Sequence, residues 1–232
     1  MNILAIIPAY NEQECIENTI SMLKEELPQL DYIIINDGSR DLTGEICAKN
    51  KFNCINLPVN TGLACAFQTG MKYAWRQGYD AAIQFDADGQ HLPAYIPKMA
   101  ESMQARDADI VIASRFVSGK KPEGARGAGS RLISWLIHKT CGITIQDPTS
   151  GMRMFNRRMI EIYAQSFDLT PEPDALALLA RRGAKICEIE AKMQQRQGGE
   201  SYFDLPNIIS YMARTCFSLV LFQWLRKDTK CL

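Results

Sequence analysis

Short, almost unbroken apolar runs alternate with amphipathic stretches through the first half of the chain. "ILAIIP" (Ile3 to Pro8), "YIIIN" (Tyr32 to Asn36), "NCINLP" (Asn53 to Pro58), "AAIQF" (Ala81 to Phe85) and "DIVIAS" (Asp109 to Ser114) each read as a strand. Between them, Glu14 to Leu27 sets Cys15, Ile16, Ile20, Leu23 and Leu27 at helical spacing. Further helices are predicted from about Asp41 to Asn50, with Ser39 or Asp41 as cap, from Leu63 to Gln77 and from Ala94 to Gln104. Strands that are apolar throughout, in strict alternation with helices, imply an α/β fold: a mostly parallel central sheet with helices on both faces.

The second half is less regular. "GKKPEGARGAG" (Gly119 to Gly129), rich in glycine and basic residues, reads as a loop rather than a domain linker. Helices are predicted over Arg131 to Thr140, Arg157 to Gln165 and Glu172 to Arg182, a turn over "DPTSG" (Asp147 to Gly151), and a last strand in "KICEIEA" (Lys185 to Ala191). The chain shows no internal repeat and no low-complexity segment.

In sheets of this kind ligands bind beyond the carboxyl ends of the strands. The polar groups collect there: Pro8 to Glu12 after the first strand, "NDGS" (Asn36 to Ser39) after the second, Asp86 and Asp88 after the fourth, Ser114 and Arg115 after the fifth. Asp86-x-Asp88 at the tip of a buried strand suits Mg²⁺ or Mn²⁺, which take one or two carboxylates and fill their other positions with water and phosphate oxygens. A ligand-free polar turn is the bland alternative. An EF-hand calcium loop is excluded, because its sixth and twelfth positions would be His91 and Pro97. An Asp37 carboxylate can accept from a nucleobase edge, with Tyr10 and Pro8 as flat apolar contacts, or can serve only an Asp-Gly turn.

Composition narrows the field. Lys and Arg total 26 and so do Asp and Glu, so no global charge points to nucleic acid, and any anion site must be local. Eight cysteines without zinc-like spacing fit free thiols in a reducing cytoplasm. The start "MNILAIIPAYNE" has no basic region before its apolar run and reads as a strand, not a signal peptide. No stretch approaches the roughly 20 apolar residues that span a bilayer.

Taken in order, "IPAYNEQE", "IIINDGSRDLT", "NTGLACAFQTGM", "FDADGQHLP", "ASRF" and "DPTSGMRMF" resemble the inverting family 2 glycosyltransferases, and in particular their dolichol-phosphate mannosyltransferase branch. The resemblance runs from about Asn2 to Tyr211. It implies a GT-A nucleotide-diphospho-sugar transferase domain over residues 1–204. The tail, residues 205–232, reads from "YMARTCFSLVLFQWLRK" as an amphipathic helix that lies in a membrane interface or packs on the core or a partner chain. The resemblance also implies that Pro8, Ala9, Tyr10, Glu12, Asp37, Asp86 and Ala87 contact a UDP- or GDP-linked sugar donor. Asp86 and Asp88, joined by Gln90, would bind Mg²⁺ or Mn²⁺. Arg115, Arg131 and Arg196 match basic positions that face the donor and acceptor phosphates; each alone reads by default as a solvated surface arginine, and Arg196 is lifted above that default by the glycine-rich "QGGES" that follows it.

The acceptor is left as a polyprenyl phosphate or a saccharide, at the inner membrane face. A lipid phosphate arrives ionised; a sugar hydroxyl needs a general base, for which Asp147, Glu172 and Asp174 are candidates. Asp147 reads equally as a turn cap, Glu172 and Asp174 as the acidic opening of a helix, and His91 and His138 as structural. Where polyprenyl-phosphate enzymes carry Gly-x-Ser-Lys, this chain has Gly199-Glu200-Ser201-Tyr202. The competing classes are a sugar nucleotidyltransferase, which would show a Gly-rich basic loop after the first strand, and a non-catalytic binding subunit. A dinucleotide-binding dehydrogenase is disfavoured because no GxGxxG follows that strand.

Overall fold

The structure, a computed structural model, describes residues 1–117, 125–166, 169–194 and 212–222. Its strands are β1 (Ile3–Ala9), β2 (Asp31–Asn36), β3 (Cys54–Asn56), β4 (Ala81–Gln84), β5 (Ile110–Ser114), β6 (Arg153–Asn156) and β7 (Ile186–Glu190). Its helices are α1 (Ile16–Glu26), α2 (Thr43–Lys49), α3 (Leu63–Gln77), α4 (Tyr95–Arg106), α5 (Ala125–Cys141), α6 (Arg157–Gln165) and α7 (Pro173–Arg181). One seven-stranded sheet runs in the order β3-β2-β1-β4-β6-β5-β7. Every pairing is parallel except the two that β6 makes.

Alternate side chains of the buried strands feed two cores. Leu4 and Ile6 of β1 and Ile33 and Ile35 of β2 join Phe67 and Met71 of α3, Ile133 and Ile137 of α5, Tyr163 of α6 and Leu176 of α7. On the other face Ala5, Ile7 and Ile34 meet Ile16 and Ile20 of α1, Cys47 of α2 and Met99 of α4. Burial on both faces is why these strands read as continuous apolar runs, and the expected layered architecture stands.

Two features depart from the sequence reading. The strand β6 was not foreseen: four residues long, with a methionine and an arginine at its start, it gives neither a run nor an alternation of β-formers. The segment expected to be loop through Gly129 is helical from Ala125 onward. Its glycines cost helix propensity, about 1 kcal/mol each, but Gly129 lies under Met212, whose Sδ would stand 3.0 Å from a β-carbon there. That close packing brings residues 212–222 onto α5; they are helical and end in a wider turn, Ser218–Phe222, with Leu219 buried in the first core. The rest of the expected C-terminal helix lies outside the described residues. Among the described residues no helix is long and apolar enough to cross a membrane.

The chain steps from β1 outward to β3, then returns to place β4 on the other side of β1. The crevice for a ligand therefore opens at the carboxyl ends of β1 and β4. Because β6 is antiparallel, its amino end points to the same rim, and the residues before it complete the site.

Candidate active site

The β1 and β2 ends are laced together. Asn11, at φ 56°, donates its N–H to Ser39 Oγ (3.0 Å), and its Oδ1 accepts from Arg40 N–H (2.9 Å). The N–H groups of Glu12 and Gln13 donate to Thr43 Oγ1 (2.9 Å) and Asp41 Oδ2 (3.0 Å). Asp41 Oδ1 also accepts from Thr43 N–H at 3.0 Å, a turn bond just before α2; the cap residue is Leu42, not the expected Ser39 or Asp41, and it makes no side-chain cap bond. Pro8, Tyr10 and Glu12 are half-buried along this rim, and Ala9 is buried.

Asp37 is buried and turned toward the start of α3. Its Oδ1 accepts from the Thr61 N–H (2.8 Å) and hydroxyl (2.6 Å), and its Oδ2 from the Gly62 N–H (2.7 Å). An ionised carboxylate has about four acceptor directions, so one direction on Oδ2 is left over for a base edge. Sequence reasoning missed Thr61 and Gly62; "NTG" before a helix was their only signal.

At the β4 end, Asp86 presents a carboxylate that is one-third exposed, while Ala87 and Asp88 are buried. Asp86 Oδ1 accepts from Gln84 Nε2 (3.1 Å), and Oδ2 lies 3.4 Å from His91 Nε2. His91 Nδ1 accepts the Asp86 N–H at 2.9 Å, which puts the neutral imidazole's proton on Nε2, facing the carboxylate. Asp88 Oδ1 accepts from Gln90 N–H (3.0 Å), and the Ala87 carbonyl is held by Thr19 Oγ1 (2.8 Å). Gln90 bonds the backbone of Gln194 through its own carbonyl (3.0 Å), so the chain that continues to Arg196 leaves from beside the acidic turn. Arg196 and Gly199 to Tyr202 lie outside the described residues.

Two further observations mark this turn as a place for an added group. Gln84 Oε1 is buried and has no hydrogen bond among the described residues. Gly151, on the loop before β6, stands so close to Asp86 that a β-carbon would meet Oδ2 at 2.7 Å. Among the described residues no three His, Cys, Asp or Glu side chains cluster as a complete metal cage; a phosphate-bridging Mg²⁺ or Mn²⁺ needs only one or two carboxylates.

Across the rim, Arg115 and Asp147 form a bidentate pair: Nε to Oδ2 at 2.7 Å and Nη2 to Oδ1 at 2.8 Å. The Arg115 N–H also donates to Oδ2 (3.0 Å), and Thr149 Oγ1 to Oδ1 (3.2 Å). Asp147 is fully buried with two donors on each oxygen, whereas the Arg115 side chain is 39% exposed. The adjacent carboxylate raises the guanidinium's already high pKa, so the cation is permanent. Glu188 of β7 accepts the N–H groups of Gln146 (2.7 Å) and Asp147 (2.8 Å). Arg153, buried, ties the same loop with Nε to the Ser150 carbonyl (2.8 Å) and Nη2 to Pro148 (2.7 Å), and reaches Pro171 with Nη1 (2.9 Å). Glu188 and Arg153 were both missed; the signal for Glu188 was a charged residue inside the strand "ICEIE", and Arg153, the first residue of a strand without a pattern of its own, had none.

The remaining candidates are more dispersed. Arg131 is exposed on α5. Asp174 Oδ2 accepts from Ser218 Oγ (2.6 Å), and Glu172 precedes α7 as its cap residue; both are half-buried. His138 is exposed, with Nδ1 3.3 Å from Thr144 Oγ1.

Solved structures share the fold. Glucosyl-3-phosphoglycerate synthase from Mycobacterium tuberculosis, in complex with phosphoglyceric acid, superposes with a TM-score of 0.73 over 98% of this chain and 81% of that one, at 17% identity. A complex of the same synthase with Mn²⁺, UDP-glucose and phosphoglyceric acid gives 0.71 over the same shares, at 15% identity. The fold is that of the GT-A glycosyltransferases. Residues 4–163 match Glycosyl transferase family 2, and the chain belongs to that family. Undecaprenyl-phosphate mannosyltransferase of Micrococcus luteus is 30% identical over 214 residues, 87% of each chain. UDP-N-acetylglucosamine–dolichyl-phosphate N-acetylglucosaminyltransferase of Methanococcus voltae is 30% identical over 183 residues, 70% of this chain and 72% of its own.

Proposed function

We propose that this glycosyltransferase moves a sugar, with inversion, from a UDP- or GDP-linked donor to a polyprenyl phosphate at the cytoplasmic face of a membrane. The observation that carries the reading is the pairing of an acidic turn at the β4 end with an arginine fixed across the rim. The relatives named for undecaprenyl and dolichyl phosphate support the acceptor class.

The residues present fit a divalent cation. Two carboxylates stand at the turn, Gly151 lets one of them pack where a β-carbon would collide, and the unsatisfied Gln84 Oε1 lies two residues away. Asp86 and Asp88, with Gln90, would hold Mg²⁺ or Mn²⁺. When bound, the ion neutralises charge growing on the departing diphosphate. Pro8, Ala9, Tyr10, Glu12 and Ala87 would line the nucleotide, and the remaining lone pair of Asp37 would accept from the base.

Arg115 would grip phosphate with the Nη1 donors that Asp147 leaves over, and Arg131 and Arg196 would add charge. Asp147 acts here through Arg115: with both oxygens saturated it has no lone pair for a hydroxyl proton, and we assign it positioning rather than base catalysis. An ionised phosphate acceptor needs no base. A saccharide acceptor would turn to Glu172 or Asp174.

The face of α5 and residues 212–222 exposes Leu132, Trp135, Phe217 and Val220 beside Arg131, Lys139 and Arg214, a composition suited to lying on an anionic lipid surface. The test is transfer from labelled UDP- and GDP-sugars to undecaprenyl phosphate in detergent, with a soluble oligosaccharide as the parallel acceptor. Lipid-linked product that vanishes with EDTA and returns with Mn²⁺ is expected. Product only on the oligosaccharide overturns the acceptor, and product undiminished by EDTA overturns the cation.

A further inference from the structure

We infer that Gly151 is a positioning residue for the Asp86 carboxylate, and that its missing side chain keeps Asp86 where a divalent cation is received. The inference rests on the proposed role of Asp86 and adds a residue to it.

The antiparallel pairing of β4 and β6, through Ala81↔Asn156 and Ile83↔Met154, sends the turn after β4 and the loop before β6 to the same rim. There Gly151 lies against Asp86: a β-carbon at 151 would lie 2.7 Å from Oδ2, 3.5 Å from Cγ and 3.5 Å from His91 Cε1.

Backbone conformation does not demand glycine at this position. Among the described residues six glycines have positive φ, and Gly151 is not among them. Any L-residue could adopt its φ; the obstacle is the carboxylate itself.

One partner must yield, and the loop is the stiffer. Ser150 Oγ donates to the Ala113 carbonyl at 2.6 Å, Arg153 donates to the Ser150 and Pro148 carbonyls, and the carbonyl of fully buried Met152 accepts from the Ala113 N–H (3.0 Å). Asp86, by contrast, ends in a partly exposed side chain with two weaker contacts, Gln84 at 3.1 Å and His91 at 3.4 Å. A methyl group at 151 therefore pushes the carboxylate by roughly half an ångström, which is the tolerance within which a metal ligand must be held. Mg²⁺-type sites demand near-ideal geometry, so this displacement weakens binding more than it weakens the fold.

The experiment is a Mn²⁺ titration followed by the EPR signal of free Mn²⁺, with saturating UDP and, in parallel, GDP. Gly151→Ala, Asp86→Ala, the double variant Gly151→Ala/Asp86→Ala and the parent are compared, and apo melting temperatures verify folding. Gly151→Ala is expected to bind Mn²⁺ at least about tenfold more weakly, to keep the parent's melting temperature without metal, and to add nothing in the Asp86→Ala background. Should Gly151→Ala fail to fold, Ser150→Ala, which removes one of the loop's two bonds to Ala113, should weaken Mn²⁺ binding by a smaller factor. Parent-like Mn²⁺ affinity in the folded loop variant, with Asp86→Ala impaired, overturns the inference and leaves Asp86 as a ligand. Parent-like affinity in Asp86→Ala overturns the role of Asp86 itself, and this inference with it.

Discussion

From β3 to β4 every strand is parallel, and the polar groups at the rim are delivered by strand ends: Asp37 one residue past β2, Asp86 two residues past β4. From β6 to β7 the rim is made differently. Arg115 is aimed by a buried Asp147, whose own backbone is held by Glu188, on a loop stapled by Arg153. On the first side neutral hydrogen bonds lace the strand ends and, among the described residues, no charged pair holds the acidic turn, so removing the Asp88 carboxylate gives up the bond from the Gln90 N–H and has a small structural consequence. On the second side charged side chains hold one another in place, and removing one leaves buried groups without partners. Chemistry and stability are separable on the first side and coupled on the second.

The largest effect should fall where the two separate most cleanly. Asp88→Ala is expected to lower sugar transfer by about 10³, roughly 4 kcal/mol of transition-state stabilisation, with the urea midpoint close to the parent's. A midpoint that falls in step with activity would erase the distinction. Arg153→Ala should show the opposite profile, a loss of about 3 kcal/mol in urea unfolding, because three carbonyls and a cavity are left behind. Asp147→Asn should cost less, about 2 kcal/mol, below the value for a fully buried pair because Arg115 is 39% exposed. It should also raise KM for the phosphate acceptor while leaving nucleotide affinity unchanged; a change confined to nucleotide affinity would move Arg115 to the donor side.

The same contrast explains what was legible in the sequence. On the parallel side each strand is buried on both faces and its chemistry follows in the next few residues, so "YIIIND" and "AAIQFDAD" announce element and site together. On the other side the information is non-local. β6 is four residues long and is made a strand by insertion between β4 and β5, and Gly151 gains its meaning only from lying against Asp86, 65 positions earlier. Asp147 reads in the sequence as a candidate base or a turn cap; that both its oxygens are consumed by Arg115 and Thr149 depends on residues up to 32 positions away. The helix starting at Ala125 was hidden by its glycines, of which Gly129 admits Met212.

A diffraction experiment on crystals grown with Mn²⁺ and a UDP- or GDP-sugar, read through the anomalous signal of manganese, addresses the account at its centre. It should place one manganese peak between the carboxylates of Asp86 and Asp88, touching the diphosphate, with the base near Asp37. A nucleotide bound with no manganese at that turn, or seated away from the β1–β4 crevice, would contradict it.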